Sequence, residues 1–196
     1  MRSIAQACIL LFGFATGAMA QAVPEASYNG DAVLTYRWVR TNAPPGGDCG
    51  CFYLNGGGIS GSLMLLPRVS LVAELSVEHA ANVLSTGKSL TLTSYLAGGR
   101  YSIPQPWMHG RHALQPFAQV LIGGGHAGGG VAGVGDGSSS FVTHIGGGID
   151  LPVGSSISVR AIQADYYLTD FANSANDHQN NLLLGAGVVL HWSRPK

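Results

Sequence analysis

The chain reads as an all-β protein: an eight-stranded antiparallel up-and-down transmembrane β-barrel behind a cleaved signal peptide. Three observations predict this. Apolar and polar residues alternate with period two along the chain, and no stretch after residue 20 sustains a helical period. Glycine is abundant, at 29 of 196 residues, only 10% of residues are charged and β-branched residues are many, a composition that points to an all-β chain rather than a helical one. The N-terminus carries an export signal: Arg2 precedes the apolar run "ILLFGFATGAMA", which ends in Ala18-Met19-Ala20. That run is too short for a spanning helix, which needs about 20 apolar residues.

Cleavage before Gln21 divides the chain into a signal peptide, residues 1–20, and one barrel domain, residues 21–196. It removes Cys8 and leaves Cys49 and Cys51 as the cysteines of the mature chain. An exported protein meets an oxidising compartment, so a disulfide is permitted.

The first predicted strand, "DAVLTYRWVRT", sets Leu34, Tyr36 and Trp38 on one face and Val33, Thr35, Arg37 and Val39 on the other. The second is "GGISGSLMLLP", and a tight turn at Pro67-Arg68 leads into the third, "VSLVAELSVEH". There Val69, Leu71, Ala73, Leu75 and Val77 alternate with Ser70, Val72, Glu74, Ser76 and Glu78. The fourth, "LTLTSYLAGGRYS", sets Leu90, Leu92 and Leu96 against Thr91, Thr93 and Tyr95. The fifth is "LQPFAQVLIGGGH" and the sixth "SFVTHIGGGIDLP". After the short turn "PVGS" comes "SISVRAIQADYYLT", and the last strand, "NNLLLGAGVVLHW", puts Leu182, Leu184, Ala186, Val188, Leu190 and Trp192 on one face.

The connections alternate in length. Long polar or glycine-rich links follow strands one, three, five and seven (residues 42–57, 80–89, 128–139 and 170–180), and short turns follow strands two and six. The link after strand four, "IPQPWMHGRH", is longer and proline-rich. A meandering sheet whose two ends meet different surroundings shows this alternation.

An apolar face in an exported β protein points either to a dry core or to lipid. Strands of about 9–11 residues match a tilted membrane span. The opposite face carries Arg37, Glu74, Gln119 and His144 among serine, threonine and glycine, and the chain has only two lysines, Lys88 and Lys196. A soluble barrel would show far more charge on its wet face. Lys or Arg facing lipid at mid-depth costs about 2–4 kcal/mol, so charges belong opposite the leucines. Arg37, Glu74 and Glu78 comply; Arg160 and Asp165 fall on opposite parities. Either a bulge near residues 161–163 puts both inside, or one of them snorkels at an interface.

The expected lumen therefore holds a polar network of Arg37, Glu74, Gln119 and His144, with Tyr95 beside them, and eight strands leave an interior that side chains fill. Bulk diffusion of solutes is not expected. Two aromatic girdles are expected: Trp38, Phe52, Tyr53, Phe141, Tyr166 and Tyr167 at the long-loop end, and Tyr101, Trp107, Phe117 and Trp192 at the other. Insertion from the periplasm keeps short turns there and long loops outside.

These segments, "VLTYRWVRTNAPPG", "LQPFAQVLIGGGHA" and the closing "QNNLLLGAGVVLHW" above all, make the mature chain resemble the small eight-stranded outer-membrane barrels, the OmpA-like transmembrane family. The resemblance implies residence in the outer membrane of a Gram-negative-type bacterium, with membrane lipid and the outer-membrane assembly machinery as partners. "SRPK" follows Trp192 where the family commonly ends on an aromatic residue, and no peptidoglycan-binding domain is expected after the last strand.

Candidate chemistry is sparse. The stretch "GGDCGCFYLNGGG" falls in the first long loop and lacks the lysine and helix of a phosphate loop. Its C-x-C spacing also differs from a C-x-x-C redox centre. A local Cys49–Cys51 disulfide is the most economical reading; it would stabilise little, since the ring is small. A composite metal site with His79, His126 and His178 needs several loops to converge, and free thiols are the remaining alternative. A serine–histidine pair occurs as H-x-S at His191 to Ser193, without an evident acid, and His144 is expected to face a lumen carboxylate such as Glu74. Ten basic against ten acidic residues leave no electrostatic footprint for nucleic acid.

The expected function is non-catalytic, without cofactor: envelope structure and presentation of four surface loops, whose ligand the sequence does not identify. The alternatives are a soluble exported barrel that binds a small apolar ligand and a lipid-modifying enzyme that uses His144 or Ser193.

Overall fold

In a computed structural model, residues 28–41, 51–83, 87–104, 114–129, 137–171 and 178–193 are described. The predicted signal peptide, Cys49 and Trp107 lie outside them. Eight strands run in chain order: β1 (Gly30–Thr41), β2 (Phe52–Leu66), β3 (Val69–Ala80), β4 (Leu90–Ser102), β5 (Gln115–Gly129), β6 (Ser138–Pro152), β7 (Ile157–Thr169) and β8 (Gln179–Trp192). Each pairs antiparallel with its neighbours, and β1 pairs β8 to close the barrel. No sheet edge is left, which satisfies the backbone groups that lipid cannot.

β2 is longer than its alternation suggested. It starts at Phe52 rather than Gly57, because its ladder with β1 runs on to Thr41 opposite Phe52. "FYLN" is therefore strand, and Cys51 stands at its foot, 3.9 Å by its Sγ from an Arg40 guanidinium nitrogen. Arg68 closes the β2–β3 turn with φ of 71°.

The two faces segregate as a membrane barrel requires. Leu34, Ile59, Leu75 and Leu190 are half to two-thirds exposed on the outer surface, while Arg37, Glu78, His144 and Arg160 are fully buried within. Among the described strand residues the outer face carries no Lys, Asp or Glu, and its one Arg, Arg40, sits at the loop end of β1. An inside-out pattern of this kind places the leucines in hydrocarbon.

Four expectations about facing need correction or a decision. β4 turns its leucines inward: Leu92 and Leu96 are buried and Tyr95 is exposed, its ring lying outside over Gly124. Tyr95 therefore is not a lumen residue. Phe117 and Tyr167, expected in the girdles, are buried inside. In β7 the bulge is the one realised: the register shifts between Arg160 and Gln163, Ala161 and Ile162 both face out, and Arg160 and Asp165 both point inward.

Candidate functional site in the barrel lumen

Inward residues of all eight strands meet along the barrel axis and divide into three levels. At the short-turn end, Arg160 from β7 grips Asp150 of β6 through two parallel hydrogen bonds, at 2.8 Å and 3.0 Å. Arg100 of β4 donates from Nη1 to both carboxylate oxygens of Asp31 in β1, at 3.2 and 3.3 Å. The Phe117 ring lies against both guanidiniums, 5.0 Å from Arg100 and 4.3 Å from Arg160, so its π face offsets part of their desolvation. Phe117 fits because Gly148 across the β5–β6 ladder has no side chain: a Cβ there would lie 2.8 Å from the ring.

At mid-lumen Arg37 is the hub. Its Nη1 donates to Glu74 Oε1 at 2.7 Å, and its Nε lies 2.9 Å from Glu78 Oε1, a close ion pair without hydrogen-bond alignment. His144 Nδ1 is 3.3 Å from Glu74 Oε1 and 3.5 Å from Arg37 Nη2. Gly58 forms the floor under the Arg37 side chain. Beside this group, Asp165 Oδ2 accepts from Gln163 Nε2 at 2.6 Å and from Gln119 Nε2 at 3.3 Å, and Gln163 Oε1 accepts from Arg160 at 3.0 Å. The bulge is what aims Arg160, Gln163 and Asp165 at one another from a single strand.

At the loop end the lumen is apolar. Val39, Leu54, Leu92, Val142 and Leu183 pack with Val83 and Phe171, which lie just beyond β3 and β7. Tyr167 spans the border. Its ring meets His144 edge-on, with centroids 4.2 Å apart, and its hydroxyl lies 2.6 Å from Ser94 Oγ.

The four expected lumen residues thus all sit inside. Arg37, Glu74 and His144 are in mutual contact, while Gln119 belongs to the neighbouring Asp165 group. Sequence reading missed Arg100, Asp31 and Asp150 as a second ion-pair level: Asp150 shares the parity of His144 on its strand, but Arg100 shares that of Leu92 and Leu96, which were expected to face lipid. It also missed the apolar plug.

Other candidates resolve separately. His191 Nε2 is 2.8 Å from Ser158 Oγ and its ring stacks on Tyr28, so its serine contact is across the β7–β8 pair rather than with Ser193. His79 lies 2.9 Å from Thr91, His126 3.1 Å from Ser139, and His178 2.7 Å from Asp170. Among the described residues no three His, Cys, Asp or Glu side chains converge as a metal site. On the outer surface, Tyr36 donates to Asn55 at 2.8 Å and Tyr166 to Asn180. With the His79 and His126 contacts, these tether a polar border above the apolar band.

Lipid-facing leucines around a closed barrel with its charges buried inside define a membrane-spanning β-barrel, in the fold of the small eight-stranded outer-membrane barrels. The crystal structure of Neisserial surface protein A agrees on that fold. Neisserial surface protein A matches with a TM-score of 0.62 at 12% identity, over 84% of this chain and 97% of that one. The attachment invasion locus protein Ail of Yersinia pestis matches at 0.49 and 13% identity, over 83% and 99% of the two chains. The N-terminal barrel domain of Pseudomonas aeruginosa OprF matches at 0.49 and 16% identity, over 84% and 98%. No family model and no curated protein matches the sequence.

Proposed function

We propose that the protein is an exported, non-catalytic barrel of the outer membrane of a Gram-negative-type bacterium, which serves envelope structure and presents its four long links at the cell surface. Residues 1–20 act as the signal peptide, residues 21–196 form the barrel domain, and the outer-membrane assembly machinery inserts it. The single observation that carries this reading is the filled lumen. Its charged side chains contact one another or, for Asp165, the amides of Gln163 and Gln119 rather than an open site, and a layer of Leu54, Leu92, Leu183 and Phe171 closes the loop end. A solute channel needs a continuous polar path and a catalytic dyad needs an accessible nucleophile; Ser158, the serine beside His191, is buried.

A soluble barrel that binds an apolar ligand would need its leucines inside, and Leu71, Leu75, Leu182 and Leu190 face outward. Fractionation tests the reading. The protein is expected in outer-membrane fractions, to need detergent for extraction, and to migrate differently on gels when unheated. On intact cells, protease is expected to cut in the long links alone. Recovery in buffer without detergent, or cuts confined to the short turns, overturns it.

A further inference from the structure

The outer face is not evenly bulky. Along the hydrogen-bonding direction, Ala32 of β1 stands opposite Gly61 of β2, Gly61 opposite Ala73 of β3, and Ala73 opposite Ala97 of β4. The next outward row toward the loops is Leu34, Ile59, Leu75 and Tyr95, each more than half exposed. On the short-turn side Leu63 and Leu71 stand opposite each other, and the Trp192 ring covers Gly30. Ile122 blocks one end of the small row, opposite Ala97, and Leu190 blocks the other, opposite Ala32. One row of side chains is thus missing from a bulky surface, and a trough of about 650 Å³ takes its place. From Ala32 to Ala97 it crosses four strands, about 14 Å, all in the half of each strand nearer the short turns.

This surface is continuous with the lipid-facing band, where no water is at hand. An unfilled trough would forfeit the dispersion contacts of its lining, so another molecule fills it. Three occupants are open to a membrane protein: a helix of a partner, a second copy of this chain, or a lipid chain. A helix is about 10–12 Å across with its side chains. The walls stand four residues apart along each strand, about 13 Å between backbones, and their own side chains narrow that gap to one row, so a helix rests on the walls without entering. A second copy fails on direction. Strands tilt about 35–45° from the membrane normal, so a row perpendicular to them is inclined by about 45–55°. A copy related by a two-fold axis along the normal presents its rows with the opposite slope, and its ridges cross the trough at nearly a right angle. A flexible polymethylene chain has neither difficulty. We propose that the trough is a binding site for one acyl chain of a membrane lipid from the leaflet beside the short turns. There the chain meets protein on three sides instead of one. The turn-side wall is open at β4, where Gly99 has nothing around its missing side chain, and the lipid chain leaves there toward its headgroup. The proposal needs only that the barrel spans a membrane.

The test reconstitutes the barrel in phosphatidylcholine vesicles that contain a phosphatidylcholine with a diazirine on one acyl chain. Illumination followed by peptide mass spectrometry maps the adducts. Labelling of Gly61, Ala73 and Ala97 is expected to exceed, several-fold, that of the outward residues Val159, Leu182 and Val188 on the far wall. Ala73→Leu, which restores a side chain in the middle of the missing row, should cut the trough adducts several-fold and leave those on β7 and β8 unchanged. Ala97→Leu serves if the first variant does not fold. Uniform labelling around the barrel overturns the proposal, as does trough labelling that survives both substitutions. A trough that stays unlabelled while a bifunctional reagent links two barrels overturns it too, since a second copy would then be the cover.

Discussion

The two halves of the lumen are built from the same strands yet follow opposite rules. Toward the short turns, charged groups are buried in contact, and each level depends on partners from other strands: Arg160 on Asp150, Arg37 on Glu74 and Glu78. Toward the loops, Val39, Leu54, Leu92 and Leu183 form a dry plug that resembles the core of a soluble protein. The polar half is fixed by direction and number of partners, the apolar half by volume. A barrel of this size therefore has one interior with two energetic regimes, and substitutions should separate them.

The largest effect is expected from Arg37→Met, which leaves Glu74 and Glu78 buried without their shared cation and should cost about 3–5 kcal/mol. Urea unfolding of the folded barrel measures it. Adding Glu74→Gln and Glu78→Gln to Arg37→Met should recover most of the loss, since the penalty is the orphaned charge rather than the missing pair. No recovery would show that the polar half is also held by volume.

In the plug, Leu54→Ala or Leu183→Ala should cost about 2–5 kcal/mol through cavity formation, with no partner substitution able to restore it except a refilled volume. Smaller again is Gly146→Ala. Its Cβ would collide with Asp165 Oδ1 and the backbone of Ala164, and the overpacking should lower stability by about 1–3 kcal/mol. Gly61→Ala on the lipid face meets nothing within 4 Å and should be neutral or slightly stabilising, which makes it the control for strand glycines in general. At the border, Tyr167→Phe removes only the hydroxyl near Ser94 and should cost about 1 kcal/mol. A near-zero value would place Tyr167 wholly in the apolar regime.

Much of this was legible in the residues themselves. Alternation in "VSLVAELSVEH" sets Leu71, Leu75 and Val77 against Glu74 and Glu78, and the structure keeps that division. β4 was misread because its leucines were assumed to seek lipid. Leu92 and Leu96 belong to the plug instead, and an apolar residue is equally at home in lipid and in a dry lumen. Phe117 and Tyr167 misled for the same reason: an aromatic near a strand end suits a girdle or an interior. The β7 bulge left a trace, the opposite parity of Arg160 and Asp165, but parity alone does not choose between a bulge and a side chain that snorkels at an interface.

What the chain determined by itself is the number of strands, their order and the depth of the apolar band, because these rest on local period and on the high cost of charge in hydrocarbon. Which side chains meet across the lumen was decided only by closure. The register of the closing sheet, shifted by the β7 bulge and by a second irregularity between Met64 and Leu66 of β2, sets the heights at which residues distant in sequence face one another, and no single strand carries that information.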